Sequence, residues 1–228
     1  MKQTLFITGT DTGVGKTVLT ALLVKFLRQC GVHAAGLKPV CSGGRDDARA
    51  LRAAMNGALT LDEINPWHFR AAVAPVLAAR QENKRLRLAP VLAHLRAWQK
   101  RRAVLVVEGA GGLLSPLGED FDSRDLIVAL RATPVIVVPN RLGVVNQVLL
   151  TLEALPARSR AGACVVLITP PNPDSAAKHN AGLLAGRAGA AVQVLPWVSA
   201  PLSVSQPPGV WKALQSLAGR LLNSSAGR

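Results

Sequence analysis

The sequence predicts an α/β fold, with a doubly wound, mostly parallel sheet and helices on both faces. Three observations lead there. Apolar runs of strand length alternate with helical stretches along almost the whole chain. The runs are apolar at successive positions, as expected of strands covered on both faces. The first run passes straight into a glycine-rich turn that ends Gly15-Lys16-Thr17 and then into an amphipathic stretch. That order is strand, phosphate-sized turn, helix.

Taken in order, Thr4–Thr8 is the first strand. Gly9-Thr10-Asp11-Thr12-Gly13-Val14-Gly15-Lys16-Thr17 follows as a turn that aims backbone N–H groups and a helix N-terminus at one point. Lys16 would reach the outer phosphates of a bound polyphosphate, and the Thr17 hydroxyl would hold a Mg²⁺ that bridges them. Five residues separate Gly9 from Gly15, one more than in the usual P-loop. The helix Val18–Cys30 repeats apolar residues at helical spacing (Val18, Leu19, Leu22, Leu23, Phe26 and Leu27) and stops at Gly31. His33–Leu37 is the second strand, Asp46–Asn56 a helix opened by two acids, and Ala89–Lys100 another helix. Strands at Ala103–Val107, Pro134–Val138, Cys164–Ile168 and Ala191–Leu195 alternate with helices at Ser123–Arg131, Val144–Leu155 and Asp174–Ala188. Pro196–Pro208 reads as a loop, because its prolines cannot donate ladder hydrogen bonds, and Val210–Leu222 as a last helix. The whole is expected to be a single P-loop NTPase-like α/β domain over residues 1–222, with 223–228 a frayed tail.

Composition narrows the function class. A net charge of +14 raises nucleic acid as a partner, but the 27 basic residues are scattered. Two local clusters, Lys84-Arg85-Arg87 and Lys100-Arg101-Arg102, lack interleaved aromatics and read as solvated faces. Three cysteines without a CxxC pair indicate neither a disulfide framework nor a zinc site. No apolar stretch approaches the ~20 residues of a membrane span, and Gly9 and Asp11 interrupt any signal-peptide segment. A reducing cytoplasm is the expected compartment, with neither membrane nor nucleic acid as partner.

In a doubly wound sheet, ligands bind beyond the carboxyl ends of the strands, which selects the loops beginning at Gly9, Lys38, Glu108, Asn140 and Thr169. Glu108-Gly109-Ala110-Gly111-Gly112 places a carboxylate where a P-loop enzyme holds a metal ligand, with small residues behind it. The plainer reading is a glycine turn with an exposed Glu108. Lys38, ahead of Pro39, projects from the same rim as Lys16 and would stabilise charge on a phosphoryl group or an anionic substrate; alternatively it is a surface lysine at a strand end. Asp46 and Asp47 suit the helix dipole, and Asp47 is also placed to be a second carboxylate on Mg²⁺. The turn Arg141-Leu142-Gly143-Val144-Val145-Asn146 either receives a carboxylate on its N-terminal amides or simply connects two elements.

Together these residues resemble the dethiobiotin synthetase family, ATP-dependent ring-closing carboxylases of biotin biosynthesis, from Thr4 to about Trp197. The resemblance rests on Gly9–Thr17 with the family's own five-residue spacing, Gly36-Leu37-Lys38-Pro39-Val40 with Ser42-Gly43, and Asp47-Ala48 with Leu51. Val107 through Gly112, Ser115-Pro116-Leu117, Leu142-Gly143 with Asn146, and Leu195-Pro196-Trp197 complete it. It implies that an amine of 7,8-diaminononanoate captures CO₂ as a carbamate, which takes the γ-phosphoryl group of ATP before the second amine closes a cyclic urea. Carried over by position, Gly13, Val14, Gly15, Lys16, Thr17 and Val18 would bind nucleotide, together with Asp47, Glu108, Gly109, Ala110 and Gly111. Thr169, Pro196 and Trp197 would complete that site, Thr169 against a base edge. Thr17, Asp47 and Glu108 would ligate Mg²⁺, while Lys16 and Lys38 would be catalytic. Thr12 and Ser42 would lie beside the diamine, and Leu142, Gly143, Val144, Val145 and Asn146 would receive the substrate carboxylate across a homodimer interface.

Other classes fit less well. A partitioning or positioning P-loop ATPase carries an extra lysine where this chain has Asp11. An amidotransferase-type synthetase would need a glutaminase domain that the chain has no room for after Leu195. A binding module without turnover would not need Lys16, Thr17, Lys38 and Glu108 together.

Overall fold

The computed structural model describes residues 2–198 and 207–223. Eight strands and ten helices follow in chain order: β1 (Gln3–Gly9), α1 (Lys16–Gln29), β2 (Ala34–Leu37), β3 (Val40–Ser42), α2 (Asp46–Ala54), α3 (Leu61–Ile64), β4 (Trp67–Phe69), α4 (Pro75–Gln81), α5 (Leu88–Arg101), β5 (Val104–Glu108), α6 (Ser123–Leu130), β6 (Thr133–Pro139), α7 (Val144–Glu153), α8 (Ala157–Arg160), β7 (Cys164–Thr169), α9 (Ala177–Arg187), β8 (Ala191–Pro196) and α10 (Pro208–Asn223). Six strands form one parallel sheet in the order β2-β5-β1-β6-β7-β8. Each of the six predicted strands is in it.

β1 lies between β5 and β6, with Ile7 level with Glu108 on one side and Val135 on the other. Strand order therefore reverses at β1, and the crevice beyond its carboxyl end is the switch point where such sheets bind ligands. Leu5, Phe6 and Ile7 are fully buried, as are Leu105, Val106 and Val107 on the neighbouring β5. Burial on both faces accounts for the continuous apolar runs. β8 differs. Among the described residues it has only β7 as a neighbour, and Val192 is half-buried and Val194 exposed, so its apolar run marks an edge strand rather than a doubly covered one.

Several boundaries differ from expectation for local reasons. α2 ends at Ala54 because Asn56 (φ 55°) and Gly57 (φ 72°) adopt left-handed backbone. α9 begins at Ala177 rather than Asp174, whose carboxylate instead accepts the Ala177 amide at 3.1 Å. α7 ends at Glu153, two residues short of Leu155, ahead of Pro156. Pro196, expected to be the first residue of a loop, ends β8. The remainder of that loop through residue 206, and the tail at 224–228, lie outside the described residues.

The segment 40–81 carries structure that periodicity does not reveal. β3 and β4 pair in parallel as a separate two-stranded sheet, Val40 level with Trp67 and Ser42 with Phe69. α3 begins with a capping box, the Thr60 hydroxyl accepting from the Glu63 amide while the Glu63 carboxylate accepts from the Thr60 amide. α4 opens with Pro75 in its first turn. In the second basic cluster Lys100 and Arg101 are exposed, and the Arg101 and Arg102 guanidinium groups lie 5.7 and 5.0 Å from the Trp98 ring centre. Trp98 is buried beneath them, so the ring anchors the cluster and offers no open face to a base.

Candidate active site

The loop between β1 and α1 is set by close packing. A Cβ at Gly9 would lie 2.6 Å from the Val14 side chain, and one at Gly15 would lie 2.6 Å from Cδ1 of Ile168 on β7. Gly15 also has φ 97°, a conformation that L side chains strain to adopt. The turn is thus held against the neighbouring strand, with α1's first amides opening onto the rim. Lys16 is only 6% exposed, and its Nζ donates to the Asp11 carbonyl at 2.6 Å. Burial lowers the Lys16 pKa to about 8, with Lys38 adding to the effect and Glu108, Asp47 and Asp11 opposing it.

Beside that loop, three chain segments converge on one charge cluster. Lys38 Nζ donates to Asp47 Oδ2 at 2.6 Å and to Glu108 Oε1 at 2.7 Å. The Thr17 hydroxyl donates to the same Glu108 oxygen at 2.6 Å. Lys38 is 4% exposed and Glu108 0%, which sets aside both plain readings, a surface lysine and an exposed glutamate. Burial disfavours the Lys38 charge, but the Glu108 and Asp47 carboxylates outweigh it and hold its pKa above that of an ordinary lysine. For Asp47 the order is similar: burial raises the pKa, and the stronger combined pull of Lys38, Thr17 and Lys16 brings it below the usual carboxylate range.

The cluster suits a hard divalent cation. Glu108 Oε2 is buried with no hydrogen-bond partner, and the Thr17 hydroxyl and Asp47 carboxylate lie around the same point. Two carboxylates and a hydroxyl are oxygen donors of the kind Mg²⁺ takes, with phosphate and water completing its shell. Among the described residues no group of three or more His, Cys, Asp or Glu side chains is placed to hold a metal ion.

All of this lines one cavity of about 740 Å³. Thr12, Gly13, Gly15, Thr17 and Val18 border it from the loop, and Ala110 and Gly111 from the strand end opposite. Ser42 faces it, its hydroxyl donating to the Val73 carbonyl at 2.6 Å. That bond brings in a wall absent from the sequence reading, Ala72-Val73-Ala74-Pro75, which runs from the loop after β4 into the first residue of α4. Cys41 also lines it, buried, its thiol donating toward the Gly44 carbonyl and the Asn65 side-chain oxygen. Gly109 does not line it. A Cβ there would meet Ser123 Oγ at 2.7 Å and Phe6 at 3.0 Å, so Gly109 serves packing beneath the site.

A second, smaller cavity of about 190 Å³ adjoins the other side of the loop. Val14, Ile168, Pro170, Leu195, Pro196 and Trp197 give it an apolar lining. Thr169 is not among the residues that border it; its hydroxyl oxygen accepts from Asn140 Nδ2 at 3.0 Å. The turn Leu142–Asn146 lies away from both cavities of its own chain. Leu142 is 75% exposed, Gly143 has φ 88°, and Val144 is buried under the first turn of α7.

Comparison with known proteins agrees with this architecture. An AAA-domain family profile matches residues 3–199. An ATP-dependent dethiobiotin synthetase BioD of Anaeromyxobacter dehalogenans is 44% identical over 186 residues, 79% of this chain and 83% of that protein. Proteins of the same name from Akkermansia muciniphila (42% over 156 residues, 68% and 73%) and Methanococcus vannielii (35% over 151 residues, 66% and 72%) are also similar. Among solved structures, chloroplast FtsY from Physcomitrella patens superposes with a TM-score of 0.51 at 16% identity, covering 94% of this chain and 65% of that one. That likeness concerns the fold alone.

Proposed function

The chain belongs to the ATP-dependent dethiobiotin synthetase family, a family of ligases, and from that membership we propose that it closes 7,8-diaminononanoate and CO₂ into dethiobiotin at the expense of ATP. The observation that carries the reading is the convergence of Lys16, Thr17, Lys38, Asp47 and Glu108 on one cavity. In this reading residues 1–222 act as one catalytic domain in the cytoplasm.

One amine of the diamine attacks CO₂, forming an N–C bond and releasing a proton, to give a carbamate. A carbamate oxygen attacks the γ-phosphorus, the bond from that phosphorus to the bridging oxygen breaks, and ADP leaves. The second amine attacks the carbamoyl carbon, the cyclic urea forms, and inorganic phosphate departs. Such a sequence needs positioning and charge stabilisation more than a protein nucleophile.

The amides of Gly13–Thr17 and the Lys16 ammonium hold the triphosphate, with Val18, Ala110 and Gly111 alongside. Lys38 turns from its two carboxylates toward the carbamate and the transferring phosphoryl group, matching negative charge as it develops. Thr17, Asp47 and Glu108 would hold Mg²⁺, which would supply positive charge against that of the triphosphate. Thr12 and Ser42 position the diamine, and Pro196 and Trp197 flank the base in the smaller cavity, with Thr169 next in sequence to Pro170 of its lining. The protein works as a homodimer in which Leu142–Asn146 of one copy receive the carboxylate of a diamine bound in the other, as the exposure of that turn allows.

Phosphate release from ATP, measured with Mg²⁺ and bicarbonate, tests this. It should depend on the diamine and be largely abolished without it. Rapid hydrolysis without diamine, stimulated by DNA or vesicles, would favour a positioning ATPase instead.

A further inference from the structure

Between the smaller cavity and the Leu142–Asn146 turn lie two side-chain amides that the proposed chemistry leaves without a task. Asn140 follows β6 and is 2% exposed; Asn180 lies on α9 and is 4% exposed. Asn140 Nδ2 donates to Thr169 Oγ1 at 3.0 Å and to the Ala177 carbonyl at 3.1 Å. Asn180 Nδ2 donates to Asn140 Oδ1 at 3.0 Å and to the Arg141 carbonyl at 3.1 Å. Both amide orientations are determined, because the Ala177 and Arg141 carbonyls accept only, and a flip would set oxygen against oxygen.

Asp174 adds a second hold on the same turn. Its Oδ2 accepts from the Leu142 amide at 2.7 Å and its Oδ1 from the Ala177 amide at 3.1 Å. Two consecutive residues of the turn are therefore pinned, the Arg141 carbonyl to Asn180 on α9 and the Leu142 amide to Asp174 just ahead of that helix. The Val144 amide is turned back onto the Arg141 carbonyl at 3.2 Å. Among the described residues, the amides of Gly143, Val145 and Asn146 have no partner, which leaves them as the unpaired donors of the turn. Two buried side-chain amides with both N–H groups of each engaged are an expensive way to fill space, and a hydrogen-bonded network of this kind rigidifies what it joins.

We propose that Asn180, supported by Asn140 and Asp174, is a positioning residue that sets the Leu142–Asn146 turn at the height and angle at which its free amides meet the substrate carboxylate. The inference rests on the reading of that turn given above. Asn180 acts through the turn and touches neither nucleotide nor diamine. Asn140 differs from it by also holding Thr169, next to Pro170 of the smaller cavity.

Steady-state kinetics on the full chain test it. Asn180→Ala should raise KM for 7,8-diaminononanoate on the order of tenfold, the loss of about one well-placed hydrogen bond. kcat and the KM for ATP should stay within about twofold. The discriminating probe is the same diamine with a methyl group in place of its carboxylate, read as a competitive inhibitor. Its Ki should be the same, within about twofold, for wild type and Asn180→Ala, because the contact being misplaced is absent. A lower kcat with both KM values unchanged, or an equal loss of affinity for both diamines, would overturn the inference in favour of a purely structural role. Asp174→Ala, at an exposed position, carries the same test if Asn180→Ala fails to fold, with an expected KM rise of about threefold for the carboxylate substrate alone. Wild-type protein that does not turn over the diamine at all would overturn the functional reading, and the inference with it.

Discussion

Replacing Lys38 with methionine removes one cation from between two carboxylates and preserves most of the side chain's volume. Contacts at 2.6 Å to Asp47 and 2.7 Å to Glu108 disappear. Glu108 is then left buried with the Thr17 hydroxyl as its one donor, and its Oε2 remains unpartnered. Breaking a buried pair by removing one member costs about 3–5 kcal/mol. The lower end applies here, because the Asp47 side chain is 42% exposed and regains water. About 3 kcal/mol corresponds to a fall in Tm of about 6–12 °C for a chain of this size. Lys38→Met, Glu108→Gln and the double variant, unfolded in urea, should show a coupling of at least about 1 kcal/mol, with the double variant more stable than Lys38→Met. In turnover, Lys38→Met should lower kcat by about 100- to 1,000-fold and change nucleotide affinity by less than about threefold. A neutral or stabilising Lys38→Met would refute the reasoning about the buried pair. Equal losses in kcat and nucleotide affinity would refute the assignment of Lys38 to the transition state.

Other perturbations probe separate parts of the account. Glu108→Gln should move the Mg²⁺ titration of activity to higher concentration by about tenfold or more, as loss of a charged ligand does; an unchanged titration removes Glu108 from the metal site. Gly15→Ala should cost about 1–3 kcal/mol and nucleotide affinity together, through φ 97° and the 2.6 Å approach to Ile168. Combining it with Ile168→Ala should recover only the part due to the clash, and full recovery would mean that backbone strain contributes nothing. His94 is half-buried against Trp67, its ring nitrogen 3.0 Å from the Glu63 carbonyl, and burial pushes its pKa below the ordinary histidine value. The unfolded chain therefore binds the proton more readily, and stability should fall as pH drops through about 6.5 and level off below the folded value. Thermal unfolding at pH 7 and pH 5 should show that loss shrinking in His94→Gln, and an identical pH slope in the two proteins would exclude His94.

Legibility in the sequence follows the distance over which each feature is encoded. The phosphate-binding loop is continuous in the chain, so Gly9 through Thr17 announce both strand-turn-helix order and chemistry. Lys38 and Glu108 are visible because each follows an apolar run, yet their burial is not, since only the folded sheet sets them against one another across a separation of 70 residues. The wall at Ala72–Pro75 is hidden for a different reason. β3 and β4 are three residues each, too short for alternation to register, and the wall itself has no chemically distinctive side chain. Asn140 and Asn180 lie 40 residues apart and look like ordinary polar positions until the fold brings α9 beside the residue that follows β6. Asp174 reads as helical because an aspartate shortly ahead of a helix and a first-turn aspartate are alike in sequence. The edge position of β8 is likewise a property of topology, invisible in a run of apolar residues.

The central claim is that γ-phosphoryl transfer in this cavity activates a CO₂ adduct of the diamine. Incubation with ATP, Mg²⁺, 7,8-diaminononanoate and ¹³C-bicarbonate, followed by mass spectrometry and phosphate measurement, tests it directly. One labelled carbon should appear in a cyclic urea for each phosphate released. Phosphate released without labelled urea, or at the same rate when bicarbonate is removed, would contradict the claim.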